Sequence, residues 1–301
     1  MPNDRDFGIV TMATTADSIV RSCALAASVR RHHPDWPTTL LTTQPTAAVP
    51  GGFFTSIVHI ETPEPFGGDM RFMNKLVHPF TLSPYERTLF LDDDTLVIRP
   101  IDRIVRDHFA GRALAINCQR SPRDGNRLGT NHLDPAVVCG ELGTDSCWNT
   151  YGGGHMYFER SAGTPPALAA AAVDVVLHER ELYERWSGQT IVSDELALLI
   201  AANRGGVDMP TAPDFVDALS LRLAESVRFS VTTSCYRWPD RPWGQSIDDV
   251  AVLHFCSSSK LAANYAREIH RLTGLRQRAD RGAKGVLRRC RHDLRRFFIR
   301  D

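Results

Sequence analysis

Three consecutive carboxylates interrupt an apolar run from Thr88 to Ile98, which reads TLFLDDDTLVI. The run predicts a strand, and Asp92, Asp93 and Asp94 stand where it leaves the core. Because side chains alternate along a strand, Asp92 and Asp94 would share one face and Asp93 would point to the other. Two carboxylates about 7 Å apart on one face repel each other unless a hard divalent cation lies between them. The stretch therefore predicts a cation site, with a solvated acidic turn as the alternative.

A histidine near the end of the chain could complete such a site. His254 lies near the end of a predicted strand from Val250 to Phe255. Imidazole and carboxylate ligands together suit ions such as Mn²⁺, so His254 is a candidate third ligand. Lys260 follows after three serines and could meet phosphate charge. A core histidine with satisfied hydrogen bonds is the alternative.

Three other stretches carry polar groups that could touch a ligand. Asp194 and Glu195 begin a predicted helix capped by Ser193, where they could act on a substrate or only complement the helix dipole. The glycines at 152–154 precede the predicted strand MYFE, which indicates a close backbone approach to a ligand or a flexible bend. Lys75 lies on the polar face of a predicted helix over 71–82, where it could reach a ligand or form a solvated basic edge.

The elements that must position these groups predict an α/β fold. The chain opens with a strand, a helix and a strand, at Phe7–Ala13, Ser18–His33 and Thr38–Thr43, followed by a third strand at Thr55–Glu61. A βαβ opening predicts a parallel sheet with a ligand crevice at the carboxyl ends of its strands. No GxGxxG follows the first strand, so a dinucleotide fold of the dehydrogenase kind is disfavoured.

The middle of the chain is less regular. A strand is predicted at Arg112–Asn117, and residues 118–151 then show no periodicity. We predict a long loop there that binds a polar acceptor or acts as a lid, because long loops in compact domains are usually functional or disordered. A single helix is predicted from Thr164 to Trp186, since two prolines stand in its first turn.

Composition indicates a globular, enzyme-sized protein. The 301 residues are 43% hydrophobic and carry no net charge, which argues against a nucleic-acid partner. Residues 276–301, however, contain ten Lys or Arg and three Asp or Glu. This tail predicts a basic amphipathic helix that could lie on an anionic membrane surface, or a plain basic terminal helix. No apolar stretch reaches the ~20 residues of a membrane span.

The seven cysteines form no CxxC pair and no secretory leader precedes them. These features predict a reduced, cytoplasmic protein.

Taken in order, the motifs FLDDDTLV, YGGGHMYF, SDELALL and HFCSSSK resemble those of the nucleotide-sugar-dependent glycosyltransferases of the GT-A fold. They are most similar to the retaining glycogenin and lipopolysaccharide galactosyltransferase family, over about residues 7 to 262. FLDDDTLV is similar to LDADTLV, in which the first and third positions bind the metal, here Asp92 and Asp94. HFCSSSK is similar to HFxGxxK, which implies that His254 is the third metal ligand and that Lys260 binds the diphosphate.

The resemblance also implies a donor site. NKLVHPF places a donor-contacting basic residue on Lys75, and SDELALL places a sugar-binding aspartate on Asp194. The predicted donor-binding set is Met12, Ala13, Thr14, Lys75, Asp93, Gly153, Gly154 and Lys260. Three departures bear on details: Ser257 replaces a glycine, Gly152–Gly154 replace an asparagine-serine-glycine stretch, and Glu195 replaces a glutamine and adds a candidate base.

What the resemblance implies overall is one GT-A domain over 1–274, with a mixed, mainly parallel central sheet, 118–151 as an acceptor-side loop or lid, and a basic tail at 275–301. The implied reaction moves a hexose from UDP-glucose or UDP-galactose to a hydroxyl acceptor with Mn²⁺ or Mg²⁺, with retention. The acceptor could be a glycan, a lipid-linked saccharide, a natural product or a protein, and the enzyme would be cytoplasmic or peripheral at the inner membrane face.

Two alternatives come from other classes. A metal-dependent phosphohydrolase with a DxDxT motif would need threonine at position 96, where this chain has Leu96. A catalytically silent sugar-nucleotide-binding module would keep the same ligand residues.

Overall fold

The computed structural model describes residues 6–61, 77–125, 132–190, 192–207, 209, 215–219, 221–237, 250–256, 260 and 262–276. Its centre is a six-stranded sheet with the order β3-β2-β1-β4-β7-β6. The strands are β1 (Phe7–Ala13), β2 (Thr38–Thr42), β3 (Ser56–His59), β4 (Arg87–Leu91), β6 (Leu114–Pro122) and β7 (Ser146–Glu159). Strands β1 to β4 run parallel, whereas β7 is antiparallel to both β4 and β6. The predicted mixed, mainly parallel sheet is confirmed.

A second sheet of three strands packs beside the first. It has the order β5-β11-β8, with β5 (Thr95–Val97) antiparallel to β11 (Val252–His254) and β8 (Val216–Ala218) parallel to it. A two-stranded ribbon joins β9 (Arg228–Ser230) to β10 (Cys235–Arg237). The strand predicted before the three carboxylates is confirmed as β4, and the apolar run resumes after them as β5 in the second sheet. The three carboxylates form the turn between these strands and are not part of a pleated strand.

Seven helices of six or more residues are described in full. They are α1 (Ala16–His32), α2 (Pro135–Leu142), α3 (Thr164–His178), α4 (Arg180–Ser187), α5 (Asp194–Gly205), α6 (Leu221–Ser226) and α7 (Ala263–Thr273). A helical turn at Asp102–Ile104 continues as a π-helical turn at Val105–Phe109.

Helix α1 links the two sheets. Thr15 caps its first turn through a capping box, because its hydroxyl accepts from Ser18 N and Ser18 Oγ accepts from Thr15 N. Leu25 and Val29 pack in one core cluster with residues of β1 and β4. The hydroxyl of Ser28 accepts a hydrogen bond from Val97 N at 3.0 Å, which ties the helix to β5.

Two predictions for the middle of the chain are wrong. Residues 118–151 contain the end of β6, helix α2 and the start of β7 rather than a long loop, although 126–131 lie outside the described residues. Regular structure was missed there because β6 and β7 carry bulges that break the alternation of side chains. The helix predicted over 164–186 divides at Glu179, whose backbone leaves the helical region at φ −124° and ψ 43°. The division lets α4 bury Tyr183 and Trp186.

Some predicted features cannot be compared with the structure. Lys75 and the first half of the helix predicted over 71–82 lie outside the described residues, whereas 77–82 are helical as predicted. The serines at 257–259 and the tail from 277 also lie outside the described residues. In the ranges that are described, no helix has both the length and the apolar character that a bilayer crossing needs. The described cysteines are all free thiols.

Candidate functional site

The site is built on the turn between β4 and β5. Thr95 closes this turn, since its amide and its hydroxyl donate to Asp92 O at 3.1 and 2.7 Å. Thr95 lies opposite His254 in the antiparallel pair of β5 and β11, and Phe255 N donates to Asp94 O at 2.9 Å. Strand pairing alone therefore brings a histidine from near the end of the chain to the acidic turn.

Asp92, Asp94 and His254 form a compact buried group. His254 Nε2 lies 3.2 Å from Asp94 Oδ1 and 3.8 Å from Asp92 Oδ2, and the three residues are at most 8% exposed. Within the described ranges they are the only set of histidine, cysteine and acidic side chains close enough to share a metal ion, with all ligand atoms within 4.8 Å of one another. Two carboxylates and an imidazole fit an ion such as Mn²⁺ better than Mg²⁺, which prefers oxygen ligands alone.

The side chain of Lys260 places a positive charge next to Asp94. The Nζ atom of Lys260 lies 2.7 Å from Asp94 Oδ2, and its side chain is 31% exposed. Burial opposes a charged imidazole at His254, but the Asp94 carboxylate outweighs it and raises the pKa of His254 well above its usual range. A cation bound here would therefore displace a proton from His254 and the Lys260 ammonium from Asp94.

Asp93 points away from the other two carboxylates. Its Oδ2 accepts hydrogen bonds from Arg21 Nε at 2.9 Å and Nη2 at 2.5 Å, and both side chains are less than 15% exposed. Burial raises the pKa of Asp93, although the guanidinium of Arg21 pulls it down. The predicted separation of Asp93 from Asp92 and Asp94 is found, but a turn produces it and not the alternation of a strand. Contact between Asp93 and a donor stays a prediction.

Two residues near the turn were missed in the sequence. His155 of β7 pairs with Leu91, the residue before Asp92, and burial together with the charge of His254 lowers the pKa of His155 to about 3. Tyr265 of α7 is fully buried, and its ring stacks on Phe255 at 3.9 Å. Burial and the charge of Asp94 raise the pKa of Tyr265. Only the antiparallel pairing of β4 with β7, which the sequence does not reveal, puts His155 here.

Three residues of the predicted donor-binding set, Met12, Ala13 and Thr14, lie at the same edge of the sheet. Met12 and Ala13 end β1, the neighbour of β4, and both are buried. The carbonyl of Thr14 accepts hydrogen bonds from Gln44 Nε2 at 2.9 Å and Thr43 Oγ1 at 3.4 Å, which fixes the backbone after β1. Gly153 and Gly154 belong to β7, just before His155.

Asp194 and Glu195 occupy the first turn of α5, as predicted, and are half-buried. Ser193 is the N-cap residue, but its side chain makes no capping hydrogen bond; its amide instead donates to Tyr183 Oη at 2.8 Å. Burial and the negative charge of Glu195 raise the pKa of Cys118 in β6, which indicates that the Glu195 carboxylate lies near that strand. The catalytic role given to the two acidic residues stays a prediction.

Comparison with known proteins identifies the fold of this chain. No protein-family model matches the chain, and no curated protein matches it. Among solved structures, the chain is similar to the galactosyltransferase LgtC in complex with donor and acceptor sugar analogs, at 16% identity and a TM-score of 0.53 over 92% of this chain and 99% of that one. It is also similar to mouse xyloside xylosyltransferase 1 in its apo form, at 12% identity and a TM-score of 0.51 over 84% and 99%.

A structure of an active-site variant of LgtC, with glutamate in place of a glutamine, matches at 15% identity and a TM-score of 0.50, over 92% of this chain and 99% of that one. At these identities the likeness establishes architecture. The chain has the GT-A fold of these glycosyltransferases.

Proposed function

We propose that this protein is a glycosyltransferase that moves a hexose from a nucleoside diphosphate sugar to a hydroxyl acceptor with the help of a divalent cation. UDP-glucose and UDP-galactose are the first donors to test, and Mn²⁺ or Mg²⁺ the first cations. The observation that carries the proposal is the convergence of Asp92, Asp94, His254 and Lys260 at the carboxyl edge of the main sheet. Its fold is shared with a galactosyltransferase solved with donor and acceptor sugar analogs.

The chemistry of such a transfer matches the charges at the site. Negative charge gathers on the diphosphate as its bond to the sugar breaks. When bound, a cation held by Asp92, Asp94 and His254 would supply electrostatic stabilisation to that leaving group. Lys260 adds a second positive charge at the same place, because its ammonium already lies against Asp94. Losing one preorganised interaction of this kind costs roughly 3 kcal/mol, or about a hundredfold in rate.

Other residues would hold the donor. Met12, Ala13 and Thr14 would form one side of the donor site, and Gln44 Nε2 donates a hydrogen bond to the carbonyl of Thr14. Gly153 and Gly154, which come just before His155 in β7, would let the donor approach the backbone closely. Asp194 would accept hydrogen bonds from sugar hydroxyls, and Lys75 would add charge toward the donor.

Retention of the anomeric configuration is part of the proposal. In a retaining transfer the departing diphosphate can take the proton of the acceptor, so that the protein needs no base. In an inverting transfer Asp194 or Glu195 would have to remove that proton. We propose further that the acceptor is a glycan, a lipid-linked saccharide, a natural product or a protein. The basic residues 275–301 would bring a cytoplasmic enzyme to an anionic membrane surface.

The test is turnover of nucleotide sugars. The protein is incubated with UDP-glucose or UDP-galactose, with and without Mn²⁺, and release of UDP by hydrolysis, with water as the acceptor of the hexose, is followed. We expect metal-dependent release that disappears in the Asp92→Ala, Asp94→Ala double variant. The matched control is the Asp35→Ala, Asp107→Ala double variant, which removes two exposed carboxylates and should keep full turnover.

The two rivals give different results in the same assay. Release of phosphate from simple phosphomonoesters, lost in the Asp92→Ala, Asp94→Ala variant, would show a phosphohydrolase. Saturable binding of UDP-sugars without any turnover would show a silent binding module.

A further inference from the structure

The ion pair between Arg21 and Asp93 has no part in the proposed chemistry, yet it is built into the turn that carries the metal ligands. Two nitrogens of the guanidinium donate to one carboxylate oxygen of Asp93, at 2.5 and 2.9 Å. Both side chains are largely removed from solvent, at 14% and 12% exposure. A buried charge pair of this kind is costly to break, because either partner alone would be a desolvated charge.

The partner of Asp93 is held on a rigid element. Arg21 lies on α1, and the same helix binds the chain beyond the turn, since Ser28 Oγ accepts from Val97 N. Helix α1 therefore makes two contacts here: Arg21 binds Asp93, the middle residue of the acidic turn, and Ser28 binds β5, the strand that follows the turn. In this arrangement of the turn Asp92 and Asp94 face His254.

We propose that Arg21 is a positioning residue for the cation site. It holds Asp93 against α1, so that the carboxylates on either side are presented together to a divalent cation. The inference rests on the proposed metal-dependent function, and it assigns Asp93 to the support of the turn rather than to contact with the donor. Residues that orient metal ligands in this way typically contribute about 10- to 100-fold to metal affinity.

The direction in which cation affinity changes when Arg21 is replaced distinguishes a positioning role from a purely electrostatic one. Arg21 is close enough to Asp94 for their charges to interact. If its charge acted only through space, replacing Arg21 by a neutral residue would strengthen the binding of a cation, because a nearby positive charge is removed. If Arg21 positions the turn, the same replacement weakens binding.

The experiment is a titration with Mn²⁺ alone, in which the electron paramagnetic resonance signal of the free ion reports binding without any turnover. We expect Arg21→Met to bind Mn²⁺ about tenfold more weakly than the wild type. Asp93→Asn should lose a similar factor. The Arg21→Met, Asp93→Asn double variant should also lose about tenfold rather than a hundredfold, because both changes remove one shared interaction.

The control is Arg30→Met on the same helix. It removes the same charge from an exposed side chain that donates to Gly52 O and Phe53 O, and it should leave Mn²⁺ affinity unchanged. Circular dichroism establishes that each variant is folded. Arg21→Gln is the second variant should Arg21→Met fail to fold, and it is expected to weaken binding in the same way.

Wild-type or tighter Mn²⁺ binding in the folded Arg21 variant would overturn the positioning role and leave the proposed function standing. A wild-type protein whose Mn²⁺ binding is absent, or is unaffected by Asp92→Ala with Asp94→Ala, would overturn both.

Discussion

His254 Nε2 lies 3.2 Å from Asp94 Oδ1 because β11 pairs antiparallel with β5 directly after the acidic turn. The two residues belong to distant parts of the chain, and the short second sheet is what joins them. A site made in this way depends on strand pairing more than on any loop. Variants of the ligands should therefore change cation binding and turnover while the protein stays folded.

Lys260 should have opposite effects on turnover and on cation binding. Its ammonium lies 2.7 Å from Asp94 Oδ2, so it competes with a cation for that carboxylate and also adds positive charge for a leaving diphosphate. We expect Lys260→Ala to reduce UDP-sugar turnover about a hundredfold and to bind Mn²⁺ more tightly than the wild type. Kinetics and a Mn²⁺ titration on one preparation measure both. Weaker Mn²⁺ binding in this variant would contradict the competition.

Asp194 and Glu195 should differ in importance if the transfer retains configuration. Asp194→Asn removes the negative charge and replaces one acceptor oxygen for sugar hydroxyls by an amide donor, which should cost about a hundredfold in turnover. Glu195→Gln should cost little, because no protein base is required. Proton NMR of the product gives its anomeric configuration. An inverted product together with an inactive Glu195→Gln variant would identify Glu195 as a general base.

We expect the protein to lose stability as the pH falls, because His33 is buried in its neutral form. Its ring stacks on Trp36 at 3.8 Å, and Nε2 accepts a hydrogen bond from Ile101 N at 2.9 Å, which requires the neutral ring. Burial lowers the pKa of His33 to about 4, while Asp102 raises it and His32 lowers it further.

The unfolded chain binds a proton near pH 6.5 and the folded chain does so near pH 4, so the contribution of His33 is complete above pH 6.5 and is lost as the pH falls through this window. Urea unfolding should show that the free energy of unfolding of His33→Gln falls by about 3 kcal/mol less than that of the wild type between pH 7 and pH 4. Equal losses in the two proteins would argue against this role.

Gly8 should be required by the packing of Tyr85 on β1. A Cβ atom at Gly8 would lie 2.4 Å from the Tyr85 ring, and that ring is held by a hydrogen bond between Tyr85 Oη and Thr39 Oγ1 at 2.7 Å. We expect Gly8→Ala to lower the free energy of unfolding by about 1–3 kcal/mol. Gly51→Ala is the control, since open space surrounds that position. Equal thermal unfolding of the two variants would contradict the packing account.

Local patterns predicted the first half of the sheet and the cation group. The opening βαβ unit follows from an apolar strand, a capped helix and a second strand, and the structure has each within a few residues of its predicted place. Asp92, Asp94 and His254 were found from residue type and order. Their meeting depends on β5 pairing with β11, which periodicity did not predict; the resemblance implied only that the three residues bind one metal ion.

What the sequence could not supply comes from contacts between distant segments. Arg21 reads as one more polar residue on an amphipathic helix, and only its position opposite the acidic turn reveals the partner of Asp93. His155 lies beside the site because β7 runs antiparallel to β4, which a chain of βαβ units does not predict. The bulged pairing of β6 with β7 breaks the alternation of side chains, so the end of β6 and the start of β7 were not predicted.

The most direct test is a crystal structure of the protein grown with Mn²⁺ and UDP, with the ion located by its anomalous scattering. We expect a single strong peak bound by Asp92, Asp94 and His254, with the diphosphate of UDP on its open side and Lys260 turned toward the phosphate. A manganese ion bound elsewhere, or UDP bound far from these three residues, would contradict the proposed function.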